Sequence, residues 1–111
     1  MRPVLMKAYA GLHPVDERAL AAVEAVLGDW HIRDAAELRG DLLRIAFEGD
    51  YFPGEEVAAA LKAFLTPESR GKLDVMDLEA WTLQRFFFDH GHLFSRTASL
   101  NQALESCSGQ G

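Results

Sequence analysis

The chain has a single cysteine, Cys107, among its 111 residues. It allows no disulfide within the chain and no thiolate metal cluster, so a reducing compartment is the simpler expectation. Long apolar runs are missing as well. The opening stretch, MRPVLMKAYAGLHPVDE, carries an apolar segment too short for the core of a signal peptide, and nowhere does a run reach spanning length. A cytoplasmic protein with no membrane contact is expected.

Positive charge is scarce. Against 17 Asp and Glu stand only 11 Lys and Arg, giving a formal net charge of −6. An acidic surface repels phosphate backbones, and nucleic-acid binding would need a basic patch to overcome that. The nearest clustering along the chain, Lys62, Arg70 and Lys72, is interrupted by Glu68 and Asp74. No nucleic-acid partner is therefore expected, whereas the acidic balance suits solubility and a basic protein partner.

Catalytic signatures are absent too. The glycines fall in neither a GxGxxG nor a P-loop pattern, no serine sits in a GxSxG elbow, and there is no HExxH. The stretch DVMDLE, residues 74–79, resembles the start of a calcium loop but fails twice. Met76 stands where a ligand is required, and Glu79 where the sharp turn demands glycine. Cys107 lies in a tail that offers no held geometry for a nucleophile. Neither a cofactor nor catalysis is expected.

What remains is ordinary globular material, 49% hydrophobic and 25% charged, enough for one core. The spacing of apolar residues predicts an all-α domain over residues 1–106, with a frayed tail at 107–111. Pro14, Asp16 and Glu17 open a helix over about 14–28, with Leu20, Val23 and Leu27 on one face and Gly28 as its stop. Ala35, Leu38, Leu42 and Ile45 predict a second helix at 34–48, begun by the Asp34–Glu37 capping spacing. Val57, Leu61 and Phe64 give a third over 55–65. A fourth, over 75–90, is apolar around most of its circumference, and a fifth spans about 96–105 with Leu100 and Leu104 inward. The result is a compact bundle of four to five short helices. Residues 1–12 read as an extended arm or a short strand, since Val4 and Tyr9 favour strand. Alone it would have to pair with a second chain or lie across the helices.

The stretch FFFDHGHLF, residues 86–94, is the strongest chemical candidate. His90 and His92 flank a glycine and can converge on a metal from a loop, with Asp89, or His31 and Asp34, completing a set. The ordinary reading is that a helix ends here, with Gly91 in a left-handed position and histidine favourable at the dipole's negative end. The aromatics point elsewhere. Trp81 and Phe88, seven apart with Leu78 beside them, are expected on one side of the fourth helix as interface anchors. Tyr51 and Phe52 join them from a loop. The function expected is a small protein-interaction module acting by binding: a homodimer, adaptor, regulator or immunity-like factor. The rival is a metal-dependent enzyme or metal sensor built on His90 and His92.

Overall fold

The computed structural model describes residues 4–101. Among these, the expected helical bundle is replaced by a mixed fold of two helices and one six-stranded antiparallel sheet. In chain order the elements are β1 (Met6–His13), α1 (Glu17–Asp29), β2 (Ala36–Arg39), β3 (Leu42–Gly49), α2 (Gly54–Lys62), β4 (Arg70–Asp77), β5 (Thr82–Asp89) and β6 (His92–Ser99). Across the sheet the strands run β2-β3-β1-β4-β5-β6. The first six elements form two interlocked β-α-β units, each holding a strand of the other between its own two. Strands β5 and β6 extend the sheet as a meander.

The supposed N-terminal arm is a central strand. β1 pairs with β3 on one side and β4 on the other, which satisfies the backbone that a lone arm would leave unpaired. Its residues alternate strictly. Met6, Ala8, Ala10 and Leu12 face the helices, with Ala8 and Leu12 fully buried, while Lys7, Tyr9, Gly11 and His13 point away.

The two helices lie close to their expected positions. At the start of α1 the Asp16 carboxylate accepts from the Arg18 amide at 3.0 Å, and Ala19, Val23 and Leu27 are buried at four-residue intervals. The Arg18 guanidinium, bonded to the same carboxylate, holds the Asp16 carboxyl below its ordinary value. In α2, Val57, Ala58 and Leu61 are buried, and Glu55 and Glu56 in the first turn and Lys62 in the last complement the dipole.

The remaining expected helices are strands. Residues 34–48 form the β2–β3 hairpin, turning at Gly40 with φ +60°. Leu38, Leu43 and Ile45 face the helices, because a two-residue turn places Leu38 directly opposite Leu43. Residues 75–90 cover the end of β4, a loop and β5. Here Asp77 accepts from the amides of Glu79 and Ala80 at 3.0 and 2.9 Å, bending the chain back where a helix start was expected. Of the fifth expected helix, residues 96–99 lie in β6. The chain turns helical only at Leu100 and Asn101, and Leu104 and the tail fall outside the described residues.

Both helices pack on the same side of the sheet and against each other, and the core lies between. It is built from Leu12, Val23, Leu27, Leu43, Phe52, Val57, Leu61, Leu73, Phe86 and Phe88. The overall extents, 37 × 35 × 20 Å, fit one helical layer on one sheet. Among the described residues nothing covers the sheet's other face.

Candidate functional site

The uncovered face is legible from the register. Residues directly opposite each other in an antiparallel pair share a face, so the outward set of β1 fixes the outward set of every strand. One row runs Arg44–Gly11–Lys72–Phe87–Phe94 across five strands. The next runs Ala46–Tyr9–Asp74–Arg85–Arg96. Three aromatic rings stand exposed on it: Tyr9, Phe87 at 36% and Phe94 at 58%. Phe87 and Phe94, the latter on the edge strand β6, are direct cross-strand neighbours and form one exposed apolar pair.

The charges on this face differ in sign from the protein's total. Seven cations project from it, Lys7, Arg39, Arg44, Arg70, Lys72, Arg85 and Arg96, against four acids, Glu37, Glu48, Asp74 and Asp89. Each acid is held by a different cation. Glu48 lies 3.4 Å from Lys7, Glu37 3.3 Å from Arg39, and Asp89 3.6 Å from Arg70. Asp74 takes a bidentate pair from Arg85 at 2.6 and 2.8 Å. Among the described residues, Arg44, Lys72 and Arg96 then have no acid within ion-pair distance, although Glu37 of β2 stands directly opposite Arg44. Arg96 also sits directly opposite Arg85, a like-charge pairing that costs stability in an empty sheet.

Arg44 and Lys72 flank Gly11, which has no side chain and open space above its Cα. With Ala46 it floors a concavity of about 480 Å³ walled by Tyr9, by the cations Arg44 and Lys72, and by the acids Asp34, Glu37 and Asp74, of which Glu37 and Asp74 are paired with Arg39 and Arg85. The Tyr9 hydroxyl donates to Glu48 at 3.2 Å and so leans toward the β3 side. Two strand spacings separate the two cations, about 10 Å between their backbones, so their flexible side chains can close on one anion.

The residues singled out from sequence are dispersed. Phe88 is 2% exposed and belongs to the core, and Phe52 is buried against Phe47. Leu78 is half-buried in the β4–β5 loop. Trp81, in the same loop, is exposed, and its Nε1 donates to the Asn101 side chain at 3.0 Å. Tyr51 is exposed and stacks on Trp30 with ring centroids 4.6 Å apart. The single-sided arrangement of Leu78, Trp81 and Phe88 therefore falls with the helix that was to carry it.

His90 and Gly91, with φ +50° and +80°, form the two-residue turn between β5 and β6. His90 approaches Arg70, Asp89 and the Pro67 carbonyl, while His92 projects from the uncovered face near Phe94. His31 and Asp34 lie in the connection before β2, at the opposite edge of the sheet. Among the described residues no three His, Cys, Asp or Glu side chains gather as a metal set.

Sequence reasoning missed the face because its members are far apart along the chain. The usable signal was alternation within each segment: in KAYAGLH, LRIAFE and KLDVM the residues Lys7, Tyr9 and His13, Arg44 and Glu48, and Lys72 and Asp74 stand two or four apart and share the uncovered face. No family model, no curated protein and no solved structure gives a match to this chain.

Proposed function

We propose that this protein acts by binding, and that the uncovered face of the sheet is its binding surface for an anionic macromolecule. One observation carries the reading. After the four acids that project from the strands have been paired, three cations remain, Lys72 directly opposite Phe87, Arg96 two residues from Phe94 and Arg44 across Gly11 from Lys72, on a chain whose total charge is −6. Cations clustered against the sign of the whole molecule steer and hold an oppositely charged partner. The exposed rings supply the apolar part of the contact.

A second copy is a poor occupant of this face. Stacking two such sheets would bring Arg44, Lys72 and Arg96 of both chains into one desolvated layer, whereas interface centres are depleted of charge. The binding role expected from sequence thus moves from a helix to a sheet, and from a basic partner to an acidic one.

Retention on immobilised heparin at neutral pH tests this. A chain with a pI of about 5.1 has no overall attraction to a polyanion. Retention that weakens with salt, and is lost in the double variant Arg44→Glu, Lys72→Glu while its circular dichroism is unchanged, is the expected outcome. Flow-through of the unmodified protein at low salt contradicts the reading.

A further inference from the structure

We infer that the occupant of the uncovered face is single-stranded nucleic acid, its phosphates held over Gly11 by Arg44 and Lys72 and its bases stacked on Phe87 and Phe94. This rests on the reading of that face as the binding surface and goes beyond it by naming the partner's class.

The juxtaposition carries the inference. Proteins that hold single strands combine cations that follow the backbone with aromatic rings on which successive bases lie. Here both kinds lie in one straight row. Arg44, Gly11, Lys72, Phe87 and Phe94 follow one another across β3, β1, β4, β5 and β6, a span of about 19 Å at the usual strand spacing. The glycine leaves an open floor between the two cations, so a phosphate can approach the sheet closely. Arg96, two residues beyond Phe94 on the same face, extends the positive charge along the path and meets a second phosphate. An anion there also relieves its repulsion with Arg85. An acidic polypeptide would match the cations as well, and stacking of bases on the two rings is what distinguishes a single strand from it.

The test is fluorescence anisotropy with a labelled oligothymidylate of about a dozen nucleotides, within the usual site size for one such surface. Unlabelled duplex of the same length and polyglutamate serve as competitors. Two phosphates neutralised on a single strand give a slope of log affinity against log salt of about −1.4, or a loss of roughly sevenfold between about 50 and 200 mM. The unmodified protein is expected to bind with that slope, with duplex and polyglutamate competing poorly. Phe94→Ala is expected to weaken binding at least about fivefold, the low end of a base–aromatic stack. Arg44→Glu with Lys72→Glu is expected to abolish it, and Arg44→Gln with Lys72→Gln replaces that pair if the first does not fold.

Absence of oligothymidylate binding overturns the inference. If polyglutamate binds instead and the Arg44/Lys72 variant loses it, the nucleic-acid assignment fails while the binding face stands. Equal competition by duplex, or indifference to Phe94→Ala, removes the stacking of bases. Oligothymidylate binding that survives charge reversal at Arg44 and Lys72 overturns both the partner and the face.

Discussion

Three consecutive phenylalanines have three different neighbours above and below but only two possible directions. In β5, Phe86 and Phe88 point to the helices and are buried, while Phe87 points to the uncovered face. Truncation separates the two environments. Phe88→Ala removes a ring packed on all sides and is expected to cost about 3–5 kcal/mol. Phe87→Ala, at an exposed position, is expected to change stability by no more than about 0.5 kcal/mol. Equilibrium urea unfolding of the two variants measures both. Equal large losses would mean that the second face is covered after all. The run FFF hides this alternation, since a window of identical apolar residues has no period. The same run, read with Leu83 and Trp81, fits a helix apolar on nearly all sides, which is why the sequence points to the wrong element there.

The hairpin between β5 and β6 shows how far a local signal carries. Gly91 was expected in a left-handed position and has φ +80°, but it closes a two-residue strand connection instead of a helix. Both central residues of that turn have positive φ, the geometry that matches the twist of the flanking strands and favours Asn-Gly. Gly91→Val is expected to destabilise the domain by at least about 1 kcal/mol. His90→Asn is expected to leave stability equal or slightly higher, because Asn tolerates this region better than His. Thermal unfolding by circular dichroism checks the pair, and a stabilised Gly91→Val variant would contradict the turn.

The helices α1 and α2 were legible because each carries a four-residue apolar repeat, Ala19–Val23–Leu27 and Val57–Leu61, and α1 also has its Asp16 start signal. Strands β2 and β3 were not, because Leu38, Leu42 and Ile45 satisfy a helical spacing as readily as they satisfy a hairpin. Which solution wins is decided by β1, more than twenty residues away in sequence, whose two open edges recruit β3 and β4. A single pass for local periodicity cannot register that demand.

For the molecule as a whole, the fold separates charge that the sequence mixes. Helices on one side leave the other side of the sheet bare, and the alternation of each strand sends its cations there. The sequence shows no basic patch because Arg44, Lys72 and Arg96 come from three strands, and only the register places them on one face with Phe87 and Phe94. The same rearrangement disperses the histidines and acids that sequence proximity had grouped. The binding surface we propose is therefore a product of topology, the bare face of the sheet. The most direct measurement is a two-dimensional amide NMR titration of the labelled protein with the single-stranded oligonucleotide. The expected shifts concentrate in β3, β1, β4, β5 and β6 around Arg44, Gly11, Lys72, Phe87 and Phe94, and leave α1 and α2 in place. Shifts concentrated on the helices, or a spectrum that does not change, would contradict it.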